Sequence, residues 1–143
     1  PNLINVVPGE VQMTVDLRNV DEEELKRSET LFKQAMDDIC RDEAVSMETE
    51  TLVRFEPVEF DQKISELIAE TATDLNLSMM KMNSGAGHDA QMMARICPTA
   101  MIFVPSRGGI SHNPKEHTDV EQLNAGAAVL LNAGIKLDQG YLD

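Results

Sequence analysis

Apolar and polar positions along this chain repeat with two different periods. Residues 45–55 alternate strictly between apolar and polar side chains, which is typical of a half-exposed strand. A sheet with one wet face is usually antiparallel. Residues 21–41 instead return apolar side chains at helical spacing behind an acidic first turn, so they predict an amphipathic helix capped by Asn19 or Asp21.

The segment before that helix has the pattern of a β-hairpin. Pro8-Gly9 is a turn dipeptide between two alternating runs. If these two residues form the loop, Asn5 and Arg18 lie on a wholly polar face of the hairpin. Because Pro-Gly favours a turn type that two-residue hairpins avoid, a longer loop with another register stays open. Strand, strand, helix and strand predict a small α+β lobe over residues 1–56.

From residue 57 onward, helical patterns alternate with short apolar runs. The run at 99–104 is apolar on both faces, as expected of a covered strand. This alternation predicts part of an α/β sandwich over residues 57–143. The runs expected as strands are 78–82 and 99–104, and the helices are expected at 61–75, 90–96 and 120–135.

Composition narrows the classes of function. The chain has 143 residues and a net charge of −13, without clustered Lys and Arg, which excludes a nucleic-acid partner. No window approaches the roughly 18 apolar residues of a membrane helix. Cys40 and Cys97 have neither the number nor the spacing of a disulfide scaffold, so we expect a reducing, cytoplasmic setting. Since the chain begins at Pro1, we expect a removed start or a fragment.

Two loops carry residues suited to chemistry. In residues 84–89, Ser-Gly-Ala-Gly-His-Asp links an expected strand to a helix and could offer backbone N–H groups to an anion. The alternative is a tight turn with Asp89 as a helix cap and His88 on the surface. A third glycine is lacking, so the loop gives no support for dinucleotide binding.

The second loop follows the apolar run 99–104 and contains His112. Ligands in open α/β folds collect at the carboxyl ends of strands, which makes His112 a candidate metal ligand. Glu116 could orient its imidazole if the loop folds back, as carboxylates often do for metal-bound histidines. The alternative is a capped helix start with Asn113-Pro114 as the turn.

Three segments together resemble a known family. PNLINVVPGEVQMTVDLR, SGAGHDAQ and MIFVPSRGGISHNPKE are similar to binuclear zinc amidohydrolases, the group of N-carbamoyl-L-amino-acid hydrolases and allantoate amidohydrolases. The resemblance extends over essentially the whole chain. It implies the C-terminal part of an α/β zinc-hydrolase catalytic domain in residues 57–143. For residues 1–56 it implies a partial ferredoxin-like lid, with an antiparallel sheet and a helix, that mediates dimerisation.

The resemblance also implies roles for particular residues. His112 would be a ligand of one of two metals. Asn5 and Arg18 would hold the substrate, and the fork of the Arg18 guanidinium suits a carboxylate. Gly87 would let its backbone lie close to the substrate, and His88 would stand beside the site. The substrate would be a small carboxylate-bearing amide or ureido compound, and the protein would be a homodimer.

The implied mechanism is metal-assisted hydrolysis of a C–N bond. Two zinc ions, or Mn, Co or Ni instead, would lower the pKa of a shared water. The sequence departs from the family pattern because its three histidines, His88, His112 and His117, are too few to assemble a complete two-metal site, and the general base is expected upstream of Pro1. We therefore expect these residues alone to bind no metal and to be inactive. The alternative is a non-catalytic truncated paralogue or interaction fragment that dimerises through its lid.

Overall fold

The computed structural model describes residues 4–141 of the chain. They form two compact units, the first ending at Pro57 and the second beginning at Val58. A single helix lies in the first unit, and the second unit contains three helices and a 3₁₀ turn at Arg107–Gly109. The helices are α1 (Glu22–Asp42), α2 (Gln62–Asp74), α3 (Asp89–Met93) and α4 (Val120–Asp138). All four helices predicted from the spacing of apolar residues are confirmed.

Helices α1 and α2 begin where an aspartate side chain can cap them. The Asp21 carboxylate accepts the backbone N–H of Glu24 at 2.9 Å, and Asp61 accepts that of Ile64 at 2.9 Å. Each bond satisfies one of the N–H groups that a helix start leaves without a partner. Asn19 does not cap the helix itself, but its side-chain oxygen accepts the N–H of Asp21 at 3.0 Å.

In the first unit, α1 covers little apolar surface. Among the described residues of this unit, Leu25 is the one buried apolar side chain, at 5% exposure. Arg54 joins the extended segment 45–55 to α1 by bonds of 2.9 Å to both Glu22 and Glu29. The unit is therefore held mainly by polar contacts at its surface, which are individually weak.

In the second unit, α2 packs against α4 and forms a small core. The hydroxyl of Thr71 is buried without cost because it donates to the carbonyl of Leu67 at 2.7 Å. A Cβ placed on Gly126 would lie 2.5 Å from Cγ1 of Val104, so glycine is what lets α4 approach the segment 99–104. The buried side chains of this core are Leu67, Thr71, Ala72, Val129 and Ala133.

The predicted sheets are wrong. Between residues 4 and 141 the structure has no strand, so neither the antiparallel ferredoxin-like lid nor the α/β sandwich is formed. The segments expected as strands are extended, and one backbone bond, from Asp61 N–H to the Thr99 carbonyl at 2.9 Å, reaches the run 99–104. Alternation decides which side of an extended segment is apolar, but a ladder also needs a second backbone about 4.8 Å away. Most apolar side chains of 45–55 accordingly remain exposed, with Val53 at 65% and Phe55 at 51%.

Candidate functional site

The glycine loop at residues 84–91 is held by its own side chains. The Ser84 hydroxyl lies 2.8 Å from Nε2 of His88 and also accepts the N–H of Ala86 at 3.2 Å. Gln91 ties the loop to the start of α3, because its side-chain oxygen accepts the N–H of His88 at 3.2 Å while its own N–H donates to the His88 carbonyl at 2.9 Å. The loop therefore presents a half-buried imidazole in one defined orientation.

Gly87 lies at a position of this loop that neighbouring side chains do not crowd. A Cβ at this position would find only the Gln91 side-chain oxygen nearby, at 3.7 Å. Neighbouring packing therefore does not require a glycine here. A glycine that packing does not explain is compatible with close approach of a ligand to the backbone.

His112 lies in a second tied loop, between Arg107 and Asp119. Its imidazole is exposed, and its backbone has a φ of 55°, in the left-handed region that a non-glycine residue rarely adopts. The Glu116 carboxylate accepts the backbone N–H of His112 at 2.8 Å. The loop folds back, as contact between Glu116 and His112 was expected to require. The Glu116 carboxylate, however, holds the backbone N–H of His112 and does not orient its imidazole.

A backbone hydrogen bond and an ion pair hold the two ends of this second loop together. The N–H of Arg107 donates to the His117 carbonyl at 2.8 Å, and the guanidinium of Arg107 pairs with the Asp119 carboxylate. Hydrogen bonding to Arg107 holds the pKa of Asp119 below its ordinary value, and His117 at 3.3 Å adds to this effect. These contacts fix where the loop starts and ends, which leaves His112 at its tip.

In the first unit, Arg18 already makes the kind of contact proposed for it. Its Nε and Nη2 atoms contact the two carboxylate oxygens of Asp16 at 2.9 and 2.5 Å, a fork-to-fork pair. This pairing lowers the pKa of Asp16 and raises that of Arg18. Asn5 is exposed in a turn.

The described residues do not fit a complete metal centre. Within residues 4–141, no three His, Cys, Asp or Glu side chains group closely enough to hold an ion. His112 offers one imidazole, whereas a catalytic zinc takes about three protein ligands. Likewise, none of the helices in this part of the chain is long and apolar enough to cross a bilayer.

Sequence reasoning placed His88 near the site but missed its partner. Ser84 precedes His88 by four residues across a Gly-Ala-Gly turn, and that spacing outside a helix does not indicate contact. Phe103 was likewise treated only as part of an apolar run, yet its ring meets His88 edge to face with centroids 5.4 Å apart. A polar side chain just before a glycine turn, with a histidine just after it, is the signal that could have suggested the pair.

Comparison with known proteins adds a family. The sequence matches peptidase family M20/M25/M40 over residues 4–134. It is 39% identical over 137 residues to an allantoate amidohydrolase of Bacillus subtilis (strain 168), covering 96% of this chain and 33% of that protein. It is 41% identical over 133 residues to an N-carbamoyl-L-amino-acid amidohydrolase of Rhizobium meliloti, covering 93% and 32%. The chain thus spans about a third of the length of these curated relatives.

A solved structure is also similar. The crystal structure of an amidase of the hydantoinase/carbamoylase family from Burkholderia multivorans matches with a TM-score of 0.76 and 34% identity. The match covers 80% of this chain and 28% of that one. Over that share of the chain, the backbone is similar to that of a related amidase.

Proposed function

The chain belongs to peptidase family M20/M25/M40, and on that premise we propose that it contributes substrate contacts and one metal ligand to an amidohydrolase. The reaction would be hydrolysis of a C–N bond in a linear ureido or amide compound, of the allantoate or N-carbamoyl-amino-acid class. The observation that carries this proposal is the likeness, over more than nine-tenths of the chain, to relatives named for those two substrates.

The first unit would act as the lid and bind the substrate carboxylate. Arg18 is suited to this because its guanidinium already forms a two-pronged pair with a carboxylate, that of Asp16. A substrate carboxylate would displace Asp16 and take over the same two donors. Asn5 would add a neutral amide contact.

The second unit would act as the C-terminal segment of the catalytic domain. Gly87 would allow the substrate to approach the backbone of the glycine loop, and His88 would contact it from a fixed orientation. His112 would supply one ligand to a metal, which we propose is zinc, with Mn, Co or Ni as substitutes. Because the described residues do not complete a metal centre, we propose that the remaining ligands and the general base come from outside these 143 residues.

We further propose a homodimer in the cytoplasm. Exposed apolar side chains of the first unit, among them Leu52, Val53 and Phe55, give it surface that a second copy could bury. Cys40 and Cys97 are both free thiols, as suits a reducing compartment. Light scattering of the purified chain would report its mass in solution, and a monomer at all concentrations would contradict the dimer.

The test of the proposed function is a chimera. These 143 residues would replace the corresponding third of the Bacillus subtilis allantoate amidohydrolase. Hydrolysis of allantoate and of N-carbamoyl amino acids would then be measured together with bound metal. We expect hydrolysis that a chelator abolishes. A chimera that folds and binds metal, but cleaves neither substrate, would contradict the proposal.

A matched pair of histidines sharpens this test. His112→Ala should lower metal affinity by more than the roughly 10–100-fold typical of losing an outer partner of a ligand. His117→Ala removes a second exposed imidazole from the same loop and should leave metal content and activity unchanged. Equal effects of the two variants would show that loop integrity, and not metal ligation by His112, is being measured.

A further inference from the structure

The tip of the loop between Arg107 and Asp119 has a backbone conformation that most side chains avoid. His112 has a φ of 55°, in the left-handed region. There the Cβ atom lies too close to the following carbonyl oxygen, so a residue with a side chain adopts this conformation at a cost in free energy. Such a conformation persists where surrounding contacts hold it in place. The contacts of His112 should therefore include one that acts on its φ angle.

A turn just after His112 supplies that contact. The N–H of Glu116 donates to the carbonyl of Asn113 at 2.8 Å, and the Asn113 side-chain oxygen accepts the N–H of Lys115 at 2.9 Å. Pro114 is the second residue of this turn, a position for which its fixed φ is suited. The turn carries the Glu116 side chain back along the chain, and its carboxylate accepts the His112 N–H at 2.8 Å.

The position of this bond makes it a constraint on φ. The φ angle of His112 is the rotation that relates its own N–H to the part of the chain that follows. Since Glu116 belongs to that following part, a bond from the N–H to its carboxylate opposes rotation about φ. The acceptor is a charged group, which makes such a bond about twice as strong as one between neutral groups. The same rotation sets the direction of the Cα–Cβ bond relative to the segment before His112.

We propose that Glu116 is a positioning residue, which holds His112 in the left-handed conformation and so fixes the direction in which its imidazole leaves the loop. The role of that imidazole as a ligand rests on the proposed function, whereas the backbone conformation does not. The imidazole is exposed, so groups from outside the loop can reach it. A side chain whose direction is already fixed loses less conformational freedom when it binds.

The backbone conformation can be measured by NMR on the 143-residue chain alone. A positive φ brings the amide and Cα protons of one residue closer together, so it strengthens the cross-peak between them. We expect a strong cross-peak of this kind for His112, and slowed exchange of its amide proton with water. Glu116→Ala should weaken the cross-peak and speed that exchange roughly tenfold, the size of one hydrogen bond to a charged group. Glu116→Gln, which keeps an oxygen acceptor, should restore most of both signals.

A control separates this role from the general effect of removing a carboxylate. Glu121 is exposed in the first turn of α4, so Glu121→Ala removes the same charge from the same unit and leaves the bond to His112 in place. It should leave the His112 signals unchanged. A negative φ at His112 in the wild type, or His112 signals unaffected by Glu116→Ala, would overturn the proposal. Equal changes in the Glu116→Ala and Glu121→Ala variants would overturn it as well.

The chimera supplies the functional arm. Glu116→Ala should lower kcat roughly tenfold with little change in KM, because His112 is not among the residues proposed to contact substrate. Glu116→Gln should recover kcat, and Glu121→Ala should leave it unchanged. Unchanged kcat in an active chimera, or a loss confined to KM, would overturn the role of Glu116 in the reaction. If the chimera is inactive with every substrate while the NMR result holds, the proposed function fails and the positioning of His112 stands.

Discussion

The two units of this protein are stabilised in different ways. The unit that begins at Val58 packs α2 against α4 around Leu67, which is 1% exposed. The unit that ends at Pro57 has one buried apolar residue among those described, Leu25, and ties its extended segment to α1 through Arg54. Salt screens exposed ion pairs, whereas it does not weaken buried apolar contacts in this way. The unit bearing Arg18 should therefore respond more strongly to salt, and the unit bearing His88 and His112 should respond more strongly to changes in packing.

The largest expected effect comes from the two leucines. Leu67→Ala should lower the free energy of unfolding of the second unit by about 3 kcal/mol, since it leaves a cavity between two packed helices. Leu25→Ala should cost the first unit less, because α1 has fewer buried neighbours around the cavity. Amide hydrogen exchange resolves the two units separately. A larger loss from Leu25→Ala would reverse the comparison.

The helix caps give an effect of intermediate size. Asp61→Ala should destabilise α2 by about 1 kcal/mol, because the N–H of Ile64 loses its acceptor. Asp21→Ala should cost α1 less, since the bond from the Glu24 N–H to Asp21 is exposed, whereas that of Ile64 is partly buried, and water can replace the lost carboxylate. Asn at either position keeps the acceptor and is the control. Exchange rates in the first turn of each helix are the measurement, and equal costs would remove the distinction.

The smallest expected effect is the response to pH. Arg18 lowers the pKa of Asp16 and Arg107 lowers that of Asp119, both from 3.8. A carboxyl whose pKa is lower in the folded state stabilises the fold above pH ~4, and that contribution is lost as the pH falls through the folded-state value. Both pairs are exposed, so the effect is small and should shrink with added salt.

Carboxyl ¹³C shifts would measure both aspartates at once. Arg18→Gln should raise the pKa of Asp16 toward its ordinary value while that of Asp119 stays low, and Arg107→Gln should do the reverse. If either substitution moved both pKa values, the two pairs would be coupled. The assignment of pH sensitivity to separate units would then be wrong.

The helices could be predicted from sequence because their causes are local. Asp61 stands three residues before the N–H it accepts, and the apolar stripe of α2 follows within the same 13 residues. The absence of sheets could not be predicted from sequence. Residues 45–55 carry the alternation of a strand, but no information about which backbone would pair with it. Val53 and Phe55 are exposed, so an apolar face on an extended segment does not by itself bring another part of the chain to pack over it.

For the candidate site, too, the residues could be identified from sequence but their contacts could not. Sequence motifs were enough to single out His88, His112 and Arg18, because residue type and order carry a family resemblance. They did not reveal that Glu116 holds the backbone of His112, or that Asp16 already occupies the guanidinium of Arg18. Those contacts depend on loop turns and side-chain rotamers that no periodicity describes.

By itself, the sequence determined the helix starts, the acidic surface and the family, since each depends on residues close together or on their order. The tertiary structure decided which groups meet. It brought the Ser84 hydroxyl to Nε2 of His88 across two glycines and buried Leu67 of α2, the helix that packs against α4. The physical reason is that such contacts form only after the chain has turned back on itself. A hydrogen bond then depends on position to within a few tenths of an ångström, which composition and spacing do not specify.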